Sequence, residues 1–360
     1  MITTEKKRIA IERTPKSRLP QTDFGHLAFG STFTDHVLIA DYKDGKWGDA
    51  RIVPYGDLQL SPATSALHYG QSIFEGMKAF RGVDGAINLF RAEDHRQRLN
   101  KSAGRLCMPE VPTEIFVDGM CEFLRLEAPW VPAGEDGSLY LRPLLFATDS
   151  FLGIRPSENY RFVIMACPVT AYYPEPLRVW VTNSYVRAVD GGVGYVKAAG
   201  NYAPSMIANK YARENGFNVV LWLDAISRKY VEEYSTMNAF FVIDEFVVTP
   251  KLTGTILEGI TRDSLLTLFE DMGVPTFERE VSIKEIFEMN DKGKLREAFG
   301  TGTAAVVAPV QSLTYEARTI ALNPDNFKLM HAAKSKLAAI RRGLEPDVYG
   351  WLTQIDAGQL

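Results

Sequence analysis

Runs that read as strands alternate with runs that read as helices in both halves of the chain. Between the halves, residues 172–177 (YYPEPL) carry two prolines and no periodicity. In the first half HVLIADYK, ARIVPY, AFRG, AINLFR, SLYLRPLLFAT and YRFVIMACPV read as strands. Asp84-Gly85, set between two apolar runs, signals a hairpin. A helix is expected from about Glu93, with Leu99, Ala103 and Leu106 at helical spacing, and a second through EIFVDGMCEFLRLEA with Phe116, Met120 and Phe123 on one face. In the second half RVWVTNSYVR, FNVVLWL, KYVEEY and NAFFVID read as strands. Helices are expected from Pro204 to Gly216, over TRDSLLTLFEDM with Leu265, Leu268, Phe269 and Met272 on one face, and around NFKLMHAAKSKLAAIRRG. This mixture, with its hairpin-like neighbours, favours two α+β or α/β domains over one doubly wound sheet. The expected boundaries are 1–171, a connection over 172–184, and 185–360.

The chain has 360 residues, enough for two domains of ~150 residues each. A net charge of −4 gives no nucleic-acid surface. No apolar run reaches the ~20 residues needed to cross a bilayer, so no membrane contact is expected. The first residues, MITTEKKRIAIERTPKSR, lack the apolar core of a secretory signal, and Glu5 and Glu12 argue against an organelle presequence. Cys107, Cys121 and Cys167 form no CxxC, which fits a reducing, cytoplasmic setting. The five histidines have no metal-ligand spacing, so no metal is expected.

Six stretches hold chemistry-bearing residues, and each has a plain alternative. In residues 194–205, GYVKAAGNYAPS, Lys197 lies among glycine and alanine, five residues before Tyr202; small neighbours let a flat organic group approach the backbone, although most lysines are simply solvated. In FGTGTAAVV, Gly300-x-Gly302-x-x-Ala305 matches a loose dinucleotide fingerprint, which requires a strand before it and a helix after it. AVVAPV reads as strand instead, leaving a turn that can hold an anion or a plain glycine turn. In LEGITRDSLL a turn at Gly259 feeds a helix starting at Ile260, Thr261 and Arg262, a second anion candidate. In YVEEYSTMNAF strand alternation points Glu232 and Glu233 to opposite faces, one of them inward or both wet on an edge. Arg98, in an arginine-rich helix, either faces solvent or turns inward to grip a phosphate bidentately; Tyr140 and Arg142 share a strand face that is either exposed or suited to a carboxylate. Together these supply an amine, a carboxylate, a tyrosine, an arginine and two anion cradles, which is the set that pyridoxal phosphate requires.

The order and spacing of LHYGQSIFEGMKAF, SLYLRP, KAAGNY, EEYSTMN, LTGTILEGITR and FGTGTAA resemble the branched-chain amino-acid aminotransferases, of the fold type IV pyridoxal-phosphate enzymes, over nearly the whole chain. The resemblance implies a two-domain fold with mixed sheets and helices in both domains and pyridoxal 5'-phosphate in the interdomain cleft. It implies reversible ping-pong transfer of an amino group between leucine, isoleucine or valine and 2-oxoglutarate. Lys197 would bond covalently to the cofactor and move the substrate proton. Glu233, not Glu232, would meet the ring nitrogen and Tyr202 the ring oxygen. Arg98, the N–H groups of Ile260 and Thr261, and the Thr303 hydroxyl would hold the phosphate. Phe29, Tyr69, Tyr140, Tyr172, Thr236 and Met237 would line the substrate pocket, N–H groups at Thr303 and Ala304 would take the α-carboxylate, and Arg142 the side-chain carboxylate of glutamate. The family implies a homodimer, with residues 152–154 entering the neighbour's pocket.

One departure is visible. Some animal members carry a redox CxxC where this chain has Ala305 and Ala308, so thiol regulation of that kind is not expected. Three other readings stand beside this one: a D-amino-acid aminotransferase or aminodeoxychorismate lyase of the same fold, a dinucleotide-dependent oxidoreductase, and a non-enzymatic binding protein.

Overall fold

The computed structural model describes residues 9–134, 137–170 and 175–356, and they form two compact units. The first comprises residues 1–170, 341–343 and 347–360; the second comprises 171–340 and 344–346. Among the described residues no helix is long and apolar enough to cross a membrane.

The first unit is built on a ten-stranded sheet. At its centre Ser138–Ala147 pairs antiparallel with Tyr160–Val169 along its full length. Met77–Arg81 and Ile87–Phe90 continue the sheet on one side, joined by the expected turn, where Gly82 N donates to Ala86 O and Gly85 sits at φ +85°. The helix Ala92–Arg105 buries Leu99 and Ala103, as its spacing requires. In Glu114–Asp118 a π turn opens the next helix, Gly119–Glu127, and Phe116, Met120 and Phe123 are all buried.

The second unit carries a nine-stranded mixed sheet. Six of its strands close on themselves, in the order Val231–Tyr234, Val219–Leu223, Leu177–Val181, Val306–Tyr315, Leu295–Gly302 and Met237–Ile243, the last pairing back to the first. Alternation sends Val179, Leu221, Ala239, Phe241, Ala298, Ala308 and Val310 into one buried cluster. On the opposite strand faces Val220 and Trp222 pack against the helix Met206–Glu214, and Phe240 and Phe299, stacked on each other, meet Phe269 of the helix Ile260–Asp271 at a tilt.

Two features differ from the expected boundaries. Leu177–Val181, which overlaps the expected strand RVWVTNSYVR but fell inside the 172–184 connection, is a strand of the second unit between Val219–Leu223 and Val306–Tyr315. Its alternating Leu177, Val179 and Val181 belong to the buried cluster, which accounts for its recruitment. Residues 347–356, placed in the second domain, run in the first unit: Leu352–Ile355 pairs with Ile87–Phe90, and Trp351 packs edge-on against Phe90.

Candidate active site

Lys197 lies between a turn, in which Val196 N donates to Val193 O, and the 3₁₀ turn Ala199–Asn201. Its Nζ donates to Tyr202 Oη at 3.1 Å, and both side chains are half-buried. Asn201 pins the segment from below, donating to the carbonyls of Val193 and Val196. Gly194 is required by close approach: a Cβ there would fall 2.4 Å from Ala188 Cβ and 2.5 Å from Thr255 O.

The two glutamates do not follow simple alternation. Val231 and Tyr234 stand opposite Leu223 and Leu221, an extra residue on the glutamate strand, and both face the buried cluster. This bulge leaves Glu232 and Glu233 both buried, so neither is the solvated edge acid that alternation allowed. They have different partners. Glu233 Oε1 accepts from Leu257 N at 2.6 Å, and its Oε2 is paired with Arg187 Nε at 3.0 Å. Glu232 Oε1 accepts from the Thr255 hydroxyl, and burial, first among several influences, raises its proton affinity above the usual carboxylate range. Arg187, ten residues before Lys197, also donates to the carbonyls of Gly194 and Thr255. It fixes Glu233 and the lysine segment to one frame. Sequence reasoning missed it, since its partners lie at positions 194, 233 and 255 and no local spacing marks them.

Ile260 and Thr261 are buried at the start of the helix Ile260–Asp271, whose N-cap, Gly259, has no side chain to cap the first N–H groups. A Cβ at Gly259 would sit 1.9 Å from Asn238 Oδ1, so only glycine allows this approach. The Gly-Thr-Gly-Thr turn is a hairpin: Gly302 pairs with Val306, and residues 303–305 form the loop. Strand follows this loop and no helix opens, so the dinucleotide fingerprint lacks the geometry it needs. Val306 holds φ +59°, a rare and costly conformation for a β-branched residue. Met237 packs against Gly300 and Gly302, which sets it beside this loop, while Thr236 is exposed in the tight turn before it. Lys197, Tyr202, Glu233, Thr236, Met237, Ile260, Thr261, Thr303 and Ala304 thus all belong to the second unit.

Phe29, Tyr69, Arg98, Tyr140 and Arg142 belong to the first unit. Phe29 meets Tyr140 edge-on at 5.0 Å, and Tyr69 is exposed. Tyr140 and Arg142 do share a strand face: Arg142 Nη2 donates to Tyr140 Oη at 2.9 Å, and its guanidinium lies 4.5 Å from the centre of the Phe74 ring. Arg142 Nε is buried without a hydrogen-bond partner. Gly76 leaves room for the Tyr140 hydroxyl, which a Cβ would meet at 2.2 Å.

Arg98 turns inward, and its bidentate edge is taken by a carboxylate: Nε and Nη2 each reach Glu75 at 2.7 Å. His95 Nδ1 adds a contact to the same group at 2.8 Å. Burial works against the Glu75 charge, but Arg98 and His95 hold its carboxyl far below the usual range. The expected bidentate grip on a phosphate is therefore corrected to a grip on Glu75, which aims the guanidinium. Glu75 was missed as a site residue because it stands 23 residues from Arg98 and follows an ordinary strand. Tyr172 lies outside the described residues.

Residues 72–313 match the model of the amino-transferase class IV family. The chain is 42% identical over 357 residues to branched-chain-amino-acid aminotransferase 2 of Bacillus subtilis, covering 98% of each chain. It is 46% identical over 339 residues to a probable branched-chain-amino-acid aminotransferase of Staphylococcus epidermidis, covering 92% of this chain and 94% of that one. Among solved structures it resembles the Escherichia coli branched-chain amino acid aminotransferase, with a TM-score of 0.75, 27% identity, and coverage of 89% and 99%. It also resembles the branched-chain aminotransferase of the thermophilic archaeon Thermoproteus uzoniensis, solved with norvaline, with a TM-score of 0.74, 26% identity, and coverage of 89% and 100%. An inward arginine on a sheet face, a lysine held beside a tyrosine, a buried ion-paired glutamate and these likenesses agree: the chain belongs to the class IV aminotransferases, in the branched-chain-amino-acid aminotransferase family.

Proposed function

We propose that the protein transfers amino groups reversibly between leucine, isoleucine or valine and 2-oxoglutarate, with pyridoxal 5'-phosphate as cofactor. The observation that carries this reading is the set Lys197, Tyr202 and Glu233 in one frame, the amine 3.1 Å from the phenol and the carboxylate fixed by Arg187. The donor set fits the cofactor. It offers an amine for the aldehyde, a buried carboxylate for the ring nitrogen, a phenol for the ring oxygen, and an uncapped helix start for the phosphate. When bound, the cofactor supplies an electron sink that makes the substrate α-hydrogen acidic.

This chain's residues do the rest. Lys197 Nζ would hold the cofactor and, once displaced by the substrate amine, would carry the proton from the substrate α-carbon to the cofactor. Glu233 would hold a proton on the ring nitrogen. Tyr202 would meet the ring oxygen, and Ile260 N, Thr261 N, the Thr303 hydroxyl and Arg98 would hold the phosphate. Thr236, Met237, Phe29, Tyr69 and Tyr140 would line the aliphatic side of the pocket, and the N–H groups at Thr303 and Ala304 would take the α-carboxylate. Arg142, with a buried Nε that has no partner, takes the side-chain carboxylate of glutamate. The working form is a cytoplasmic homodimer. Leu152 and Ile154, both strongly exposed, reach the neighbouring copy's pocket.

The absorbance of the purified protein tests this reading. A visible band that falls on adding leucine and returns with 2-oxoglutarate is expected. A band indifferent to leucine moves the substrate to the D-amino-acid or chorismate relatives, and a protein that added pyridoxal phosphate cannot colour ends the proposal.

Arg142→Ala separates the two substrates. Its guanidinium makes no contact that an aliphatic chain needs, whereas a side-chain carboxylate loses a charge-assisted pair of about 1.5–3 kcal/mol. The expected result is kcat/KM for glutamate lower by roughly 10–100-fold, with leucine changed less than threefold. Equal losses for both substrates would remove Arg142 from the pocket.

A further inference from the structure

Glu233 and Asn238 stand directly opposite each other where Val231–Tyr234 pairs antiparallel with Met237–Ile243, so their side chains lie side by side on one face. Both are buried, and both reach the same peptide on a third stretch of chain. Glu233 Oε1 accepts from Leu257 N at 2.6 Å, and Asn238 Nδ2 donates to Leu257 O at 2.9 Å. One cross-strand pair thus holds both backbone polar groups of Leu257. Asn238 also reaches further along that stretch. Its Oδ1 lies so close to Gly259 that a Cβ there would fall 1.9 Å away. Gly259 holds φ −74°, an ordinary value, so the glycine serves this close approach and not an unusual conformation. Gly259 is the N-cap of the helix Ile260–Asp271, whose first N–H groups, at Ile260 and Thr261, are those assigned above to the phosphate. Asparagine suits the position because its short amide carries both a donor for Leu257 O and an uncharged oxygen to set against the helix start.

We propose that Asn238 is a positioning residue for the cofactor's phosphate: by holding Leu257 and Gly259 against the strand pair, it sets the Ile260 and Thr261 N–H groups at a fixed reach from the Glu233 carboxylate. This rests on the cofactor reading given above, in which Glu233 takes the ring nitrogen and the helix start takes the phosphate. A rigid ring with a short phosphate arm satisfies both ends only where their separation is preset, and side chains locked by supporting hydrogen bonds preset it. Removing the Asn238 amide leaves Leu257 N on Glu233. The ring end of the site then keeps its carboxylate, while the phosphate end loses its anchor. The loss in affinity therefore follows the phosphate group and not the ring.

Pyridoxamine phosphate and pyridoxamine are the probes, since neither has an aldehyde and Lys197 forms no bond to them. Calorimetry on the full chain gives a dissociation constant for each. The parent is expected to prefer the phosphorylated form by roughly 100-fold or more, the worth of two hydrogen bonds to a charged group. Asn238→Ala is expected to weaken pyridoxamine phosphate roughly tenfold or more while pyridoxamine changes less than threefold. Gly259→Ala, which drives a methyl into Asn238 Oδ1, is expected to show the same selective loss, and it carries the test where the Asn238 variant does not fold. The double variant should lose no more than the larger single loss, because both substitutions break one contact. A parent with no preference for the phosphorylated form overturns the cofactor reading and this proposal with it. A parent that has the preference, with variants that keep it or that weaken both probes equally, overturns the role of Asn238 alone. Losses that multiply in the double variant do the same.

Discussion

Lys197→Ala is expected to lower leucine transamination by about 10⁴-fold, the upper end of what one positioned proton-transfer group supplies. The lysine has two tasks in the proposed reaction, covalent attachment and proton movement, and alanine can do neither. The rest of the frame does not depend on it. Asn201 anchors the segment to Val193 and Val196, Arg187 anchors it to Glu233, and Lys197 itself is only half-buried. The variant should therefore fold, keep Tyr202 and Glu233 in place, and bind pyridoxal phosphate without a covalent bond. Borohydride treatment followed by mass spectrometry checks the second half: the parent gains the mass of the reduced cofactor and the variant does not. Turnover within tenfold of the parent would sink the assignment of Lys197. Loss of folding would instead show that its contact with Tyr202 is structural.

Local pattern carried most of the elements but not how they close. His36–Lys43 and the hairpin across Asp84-Gly85 were legible because strand period and turn chemistry are local. The closed strand ring was not. Its long-range seams join Leu177–Val181 to Val306–Tyr315 and Met237–Ile243 to Leu295–Gly302, and nothing within a strand states its distant partner. The return of Leu352–Ile355 to the first unit was hidden for the same reason. In the candidate site Lys197, Tyr202 and Glu233 were legible as residue types with distinct chemistry. The groups that position them were not, since Arg187 reaches Glu233, and Glu75 reaches Arg98, by tertiary contact alone. The bulge at the glutamates was also hidden. Two adjacent acids on a regular strand point apart, and only the pairing of Val231 and Tyr234 with Leu223 and Leu221 shows that both are buried.

That bulge makes the neighbouring glutamates a matched experiment. Glu233→Gln keeps the side chain's size but removes the charge facing Arg187 Nε at 3.0 Å. Arg187 is itself buried, 7% exposed, and keeps only the carbonyls of Gly194 and Thr255 as partners among those that held it with Glu233. Breaking a buried pair from one side costs about 3–5 kcal/mol, and the retained carbonyl bonds place this case at the lower end. A fall in Tm of several degrees, read by calorimetry on the cofactor-free protein, is the expected result. Catalysis should fall further than stability. An amide cannot hold the ring nitrogen protonated, and loss of one preorganised electrostatic group costs roughly 10²–10³-fold in kcat. Glu232→Gln, one residue away, should change kcat less than threefold, because its carboxyl faces Thr255 and is already biased toward the protonated form by burial. Equal losses in the two variants would mean that the pair acts as one unit and that Arg187 does not single out Glu233. A larger loss in Glu232→Gln would reverse the assignment, placing the ring nitrogen against Glu232 and leaving Glu233 as the structural partner of Arg187.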